Sequence, residues 1–572
     1  MGAASARPGR TRPDKPWRRP GAARYALRRL GGLARPPVDV YEPEPWSVTK
    51  LHDLPVTVRD GTTLRVNVVL PAEGGPFPVL LSAHPYGKDN LPRRGRTRYR
   101  VSVQYRMLRQ PGRVRFSSLT GWEAPDPVWW AAQGYAVVNC DLRGAGTSEG
   151  TASLLSDQEG EDVYDLIEWA GAQSWSTGAV GTLGVSYLAI SQWKAAALRP
   201  PSLKAICPWE GFTDAYRDLI RPGGIREDGF IKLWSLGLRR VRQRYNIAAE
   251  RRRRPLRDDW WRGLVPALPE ITVPALVCGS FSDNNLHGRG SFRGWERITS
   301  ADRFLYTHRS GKWLTFYSPE ARDAQLAFFD RYLRDRNVPA PPRIRLEVRE
   351  SREVVRSVRD EKNWPLDGTD WRSLYLTGDG LAGTPPAEEG QLAFGTRTGG
   401  ACWEWTVPAD MEITGPMALR LWVSAHGTDD VSLFAGVEKW RGRSYVPFEG
   451  SYGFGRDRIT TGWLKVSLRA LDLGESRSFE PVPACTTPEP LAPGEVVAVD
   501  IALGPSATFF RGGDTLRLVV AGRWLWPRNP LTGQFPAAYQ PSPRGECTVH
   551  WGPERQARLL IPAITPPGMF ER

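Results

Sequence analysis

Serine becomes a nucleophile only where the chain exposes its hydroxyl and a neighbouring base takes its proton. The run GTLGVSYLAISQW, from Gly181 to Trp193, has the layout for the first requirement. A strand-like stretch reaches Gly184, which permits a tight turn, Ser186 follows at the apex, and a helix-like stretch begins at once. Such an elbow lifts the hydroxyl above a sheet and aims the first helix amides, that of Tyr187 foremost, at an oxyanion formed there. The second glycine of the general G-x-S-x-G pattern is replaced by Leu188, so the motif needs support from elsewhere in the chain.

The base must come from six histidines, His52, His84, His287, His308, His426 and His550. An elbow serine is followed along the chain by an acid and then by a histidine. Asp283 closes PALVCGSFSD and His308 closes RFLYTH, so both fall at the carboxyl ends of successive predicted strands, where open α/β sheets keep their sites. In that arrangement Asp283 orients the imidazole, and His308 takes the Ser186 proton and returns it to the leaving group. His287 is the rival base, poorly placed to reach another loop because it lies four residues after the proposed acid. Tyr86 follows PVLLSAHP, the strand whose loop ordinarily supplies a second oxyanion donor, and a phenol suits that role. Trp209 and Glu210 follow LKAIC at another strand end, where Glu210 would either meet a substrate amine or form a structural ion pair.

The elements that must hold these residues follow from the hydrophobic pattern. LPVTVRDGTTLRVNVVLP alternates around Asp60-Gly61 and predicts a β-hairpin. PVLLSAHP, YAVVNCDL, AVGTLGVS, LKAICPW, PALVCGSF and RFLYTH are continuously apolar, the pattern of parallel strands covered on both faces. Helical periodicity fills the gaps, as in DQEGEDVYDLIEWAGAQ and SPEARDAQLAFFDRYLRD, the latter opening with Ser and Pro in N-cap order. The segment from Phe212 to Pro274 is longer than one crossover needs and predicts a largely helical cap over the carboxyl edge. NVPAPPRIRLEV predicts a linker, and the short strand-like runs beyond it predict a β-sandwich or jelly roll.

Taken together, GVSYLAISQW, HPYGKD, DLRGAGTSEG, the FSD ending at Asp283 and the YTH ending at His308 resemble the CocE/NonD hydrolases, relatives of X-Pro dipeptidyl-peptidases and α-amino-acid ester hydrolases. The resemblance covers most of the chain beyond its basic start. It implies an α/β-hydrolase domain, a mainly parallel sheet flanked by helices, with an inserted helical cap and a C-terminal all-β jelly-roll sandwich. The implied catalytic residues are Ser186, Asp283 and His308, with Tyr86 and the Tyr187 N–H as the oxyanion hole. The family usually has glycine where this chain has Ala189. The expected division is a basic disordered arm over 1–45, the hydrolase domain over 46–212 and 271–340, the cap over 213–270, and the sandwich over 345–572.

Of the net charge of +15, nine units lie in the first 36 residues, where ten basic residues face one acid. Prolines and small residues interleave them, which predicts a solvated tail, with a polyanion or membrane-surface tether as the alternative. No apolar run reaches roughly 18 residues, so no transmembrane segment is expected. The arm lacks the apolar core of a signal peptide, and six cysteines without CxxC spacing fit a reduced, cytoplasmic setting. The expectation is a serine hydrolase without metal or organic cofactor. It would cleave an ester or amide of a small-molecule or short-peptide acyl substrate, with no specific nucleic-acid partner. An X-Pro dipeptidyl-peptidase or acyltransferase with the same triad, and a non-catalytic binding protein using the arm or jelly roll, are the alternatives.

Overall fold

The computed structural model describes residues 9–10, 22–107 and 110–564. Continuous apolar runs become strands buried on both faces, as the wholly buried strand Ala275–Ser280 illustrates. The strands run in the spatial order Val48–Thr57, Thr63–Pro71, Ala136–Asp141, Phe77–His84, Ser176–Val185, Leu203–Trp209, Ala275–Ser280, Arg303–His308, Ile344–Arg349 and Val355–Glu361. All pairs from Ala136–Asp141 to Ile344–Arg349 are parallel, while the hairpin at one edge and the last strand at the other are antiparallel. Helices Asp157–Gly171, Tyr187–Ala197 and Pro319–Arg334 fill the crossovers, and the Ser318 hydroxyl caps the last by accepting the Ala321 N–H at 3.2 Å. The parallel order brings the ends of four strands, at His84, Val185, Trp209 and Ser280, to one edge.

Three predicted stretches take a different form. The stretch from Asn337 is not wholly a linker, because Ile344–Arg349 extends the parallel sheet by pairing Ile344 with Leu305. The cap is divided into short pieces, a wide turn over Tyr216–Ile220 and helices Phe230–Gly237, Ile247–Arg253 and Asp259–Gly263, with Pro222 and Pro255 falling in the breaks. Part of the basic arm is helical over Ala22–Ala34, and residues 9–10 pair with Ala401 and Cys402. Residues 1–8 and 11–21 of the arm lie outside the described residues.

Beyond Arg334 the described residues contain no α-helix. The long strand Met411–His426 pairs with Val497–Phe510, Glu546–Trp551 and Arg558–Ile564, while Gly400–Thr406, Asp514–Ala521, Ser432–Arg441 and Thr460–Lys465 form the facing ladder. Leu419, Leu421, Leu433, Leu518 and Ile561 bury their side chains in the core of this jelly-roll sandwich. Hydrophobic contact continues from the α/β layer through the cap to Trp463, Trp524 and Tyr539 of the sandwich, so the parts share a packed seam. All six cysteines are buried and unbridged, and no described helix is long and apolar enough to cross a membrane.

Candidate active site

Ser186 sits where the elbow requires it, between the strand Ser176–Val185 and the helix Tyr187–Ala197, with φ 61° and ψ −116°. A β-carbon at Gly184 would lie 2.4 Å from Cβ of Leu188, so only glycine lets the helix fold back this tightly. The Ala189 methyl is accommodated because Gly211 faces it; a β-carbon at Gly211 would lie 2.8 Å from that methyl. The Ser186 N–H donates to the Trp209 carbonyl at 3.0 Å, and the Val185 N–H to the Glu123 carbonyl at 3.1 Å. These bonds hold a backbone conformation that costs about 1–3 kcal/mol on its own.

The histidine found against Ser186 is His287, with Nε2 3.0 Å from Oγ. His308 does not make this contact. Its Nε2 lies 3.0 Å from Oε1 of Glu210, while its Nδ1 accepts the Ser310 N–H at 3.2 Å and lies 3.2 Å from the Thr315 hydroxyl. An Nδ1 that accepts an amide proton carries none itself, so the ring proton is assigned to Nε2 and points at Glu210. Neither nitrogen is then open to the serine. His287 reaches Ser186 because the chain turns back on itself after Asp283. The Gly288 N–H donates to the Asp283 carbonyl at 2.9 Å, and His287 caps the helix Gly288–Arg297.

Asp283 lines the cavity but makes no hydrogen bond to either histidine. Its Oδ2 lies 2.9 Å from the Lys312 ammonium. Glu123, which the sequence reading missed, is 4% exposed and accepts the Trp313 indole N–H at 3.2 Å, with its carboxyl close to the Ser186 hydroxyl. Burial pushes the Glu123 carboxyl up to about 7, with Lys312 opposing. Burial also raises Asp283, again against Lys312. Burial works against the Lys312 charge too, but Asp283, Glu210 and Glu123 outweigh it and hold the ammonium above its ordinary value. Burial, reinforced by Lys312, takes His287 well below the ordinary histidine range, which keeps its Nε2 an acceptor at neutral pH.

Tyr86 lines the same cavity, accepts the Trp234 indole N–H at 3.2 Å and keeps its own O–H to donate. Burial raises its pKa well above the ordinary tyrosine value, so that proton stays in place. Tyr187 is the first residue of its helix, where an N–H has no intrahelical acceptor. Trp209 is fully buried and packs on Tyr306 and Phe316, outside the cavity lining. Glu210 does line it, at φ 52°, but is held by His308. Ligand atoms of Glu210, Cys278 and His308 come within 4.8 Å of one another. The hydrogen bond accounts for this grouping, and burial with the nearby Glu210 charge keeps the Cys278 thiol protonated, which does not suit a metal.

The cavity measures about 370 Å³ and draws its walls from all three parts of the chain: Trp122 and Trp313 from the α/β layer, Phe230 and Trp234 from the cap, Tyr452 and Pro536 from the sandwich. The loop that carries His287 is fastened to the sandwich through Asn285. Its N–H donates to the Ser451 hydroxyl at 3.0 Å, and its amide to Tyr539 Oη at 3.0 Å and Gln534 Oε1 at 3.3 Å.

Residues 60–253 match the family model for X-Pro dipeptidyl-peptidase (S15 family), and residues 337–560 match that for the X-Pro dipeptidyl-peptidase C-terminal non-catalytic domain. Cocaine esterase of Rhodococcus sp. (strain MB1 Bresler) is 26% identical over a 620-residue alignment spanning 89% of this chain and 97% of that protein. A solved CocE/NonD family hydrolase from Staphylococcus aureus is 34% identical, covers 91% of this chain and 94% of its own, and superposes with a TM-score of 0.86. An α-amino acid ester hydrolase, 17% identical over 91% of this chain and 97% of its own, shares the fold with a TM-score of 0.66.

Proposed function

Because the chain belongs to the CocE/NonD family of hydrolases and is a serine hydrolase, we propose that its chemistry runs on Ser186 as nucleophile and His287 as general base. The observation that supports this pairing above all is the 3.0 Å contact between Ser186 Oγ and His287 Nε2 at a strained elbow. Ser186 Oγ attacks the acyl carbon as its proton passes to His287. The oxyanion accepts hydrogen bonds from the Tyr86 hydroxyl and the Tyr187 N–H. His287 returns the proton to the leaving oxygen, and water repeats the sequence to release the acid and restore the hydroxyl. Asp283 makes no bond to His287 in this reading; its carboxylate faces Lys312 and offsets the ammonium that would otherwise oppose an imidazolium more strongly.

Within this reading the substrate is an ester with an apolar body, since Val103, Phe230, Leu233 and Leu286 line the cavity. The S15 match favours the dipeptidyl-peptidase alternative, but the carboxylate suited to a substrate amine, Glu210, is already committed to His308. The same division of labour makes residues 213–270 the cap that closes the cleft. A fluorophosphonate probe tests the nucleophile. Mass spectrometry should place the adduct on Ser186, and Ser186→Ala should remove both labelling and turnover of a small ester while the chain stays folded. A label on another serine would end the proposal.

A further inference from the structure

The helix Ala22–Ala34 is mounted with its leucines outward and one arginine buried beneath it. Tyr25, Arg29 and Gly32 face inward: Arg29 is 4% exposed and donates to the carbonyls of Pro530 and Gly453, both at 2.8 Å, while Tyr25 Oη accepts the Gly455 N–H at 3.0 Å. Leu27, Leu30 and Leu33 point outward, 68%, 48% and 37% exposed, with Arg24 and Arg28 on the same outer side. A surface helix normally turns its leucines to the core and its arginines to water.

The outward leucines are not isolated. The helix packs on Val103–Met107. Val103 (59% exposed) and Leu236 of the cap (61% exposed) both line the mouth of the catalytic cavity, as does Gly453 beneath the helix. Between Asn90 and Val103, two residues of the cavity wall, the ladder Arg93–Arg94 with Tyr99–Arg100 makes a hairpin that exposes Arg93, Arg94, Arg96, Arg98 and Arg100. No ion pair engages any of these five among the described residues. The hairpin and the strand Val38–Tyr41 that follows the helix border a shared recess of about 480 Å³, lined by Arg94, Arg96, Arg98 and Arg106 against the two carboxylates Asp39 and Glu42.

We propose that this apron of leucines and arginines docks on an anionic phospholipid surface and holds the cavity mouth against it. A nucleic acid would use the arginines but leave the leucines in water. A second copy would cover the leucines but oppose one arginine cluster to another. A lipid interface takes both, apolar side chains at the acyl boundary and arginines at the phosphates. The nine excess positive charges of the first 36 residues add to the same attraction. The docking does not depend on which histidine serves Ser186.

Co-sedimentation of the full chain with phosphatidylcholine vesicles, with and without phosphatidylglycerol, tests this. Binding to the anionic vesicles at low salt should exceed binding to neutral ones by about tenfold or more. Both Leu27→Glu/Leu30→Glu/Leu33→Glu and Arg94→Glu/Arg96→Glu/Arg98→Glu should reduce it by about tenfold or more, with turnover of a soluble ester unchanged as the check on folding. Anionic-vesicle binding indifferent to the leucines, retention on RNA without gain from phosphatidylglycerol, or a leucine-dependent dimer in place of vesicle binding would each overturn the proposal.

Discussion

Two neighbouring strand ends at the carboxyl edge of the sheet each present a buried histidine, both 1% exposed, and their surroundings treat it in opposite ways. The loop after Arg303–His308 satisfies its histidine completely, with Glu210 on one nitrogen and Ser310 and Thr315 on the other. The loop after Ala275–Ser280 leaves Nδ1 of His287 without a partner, packs the ring on Phe212 with centroids 5.7 Å apart, and places Nε2 on Ser186. Burial is the same, so burial does not distinguish the two rings. What distinguishes them is that only His287 turns a nitrogen lone pair to Ser186.

The largest effect that would break this contrast is kinetic. His287→Ala should lower kcat by about 10⁴-fold or more, as removal of a base from a concerted set does. His308→Gln retains an N–H donor for Glu210 and should stay within about tenfold of the parent. Steady-state rates on a soluble ester check both, and the reverse ranking would return the base to His308. Because burial and Lys312 depress His287, the acid limb of kcat/KM should lie below the ordinary histidine value of 6.5.

Next in size is Tyr86→Phe. The ring and its contacts remain, but the oxyanion loses one donor, so kcat should fall by roughly 10²–10³ with little change in KM. A loss of only a few-fold on a slow ester, where chemistry limits the rate, would reduce Tyr86 to packing and leave the oxyanion with the Tyr187 amide alone.

The smallest is a matter of stability and belongs to Glu123. Its carboxyl titrates near 7 in the folded chain against an ordinary value of 4.5, so the native state holds the extra proton. Between those values stability falls as pH rises, because the native state must give up a proton that the unfolded chain has already lost. Glu123→Gln removes this dependence and should raise stability at pH 8 relative to pH 5 by about a few kcal/mol at most, read as a higher thermal midpoint at pH 8. An unchanged difference between the two pH values would place the titration elsewhere.

Ser186 was legible in the sequence because an elbow is local: a strand, a glycine, a serine and a helix occupy adjacent positions. The parallel sheet was legible for the same reason, each strand being a continuous apolar run. Which histidine serves the serine was not, because the reach of His287 depends on the reversal at Asp283 and on a helix, GRGSFRGWER, whose three glycines mask its periodicity. Glu123 gave no signal either, since its φ of 61° and its approach to Ser186 arise from the fold around GWEAPDP. The helix in the basic arm was hidden by glycines and arginines, and tertiary bonds from Arg29 and Tyr25 are what hold it in place.

The fastening of Asn285 to Ser451, Gln534 and Tyr539 spans 166, 249 and 254 positions of sequence. During synthesis the Ser186 elbow and the loop that carries His287 emerge long before the residues that fasten that loop to the sandwich. Before Tyr539 is made, His287 has the Gly288–Asp283 bond and the Phe212 ring to hold it but lacks the Asn285 fastening. The Asn285 bonds therefore tie the order of synthesis to the order of fastening: the loop that carries His287 gains its contacts to the sandwich only after residues made much later have folded.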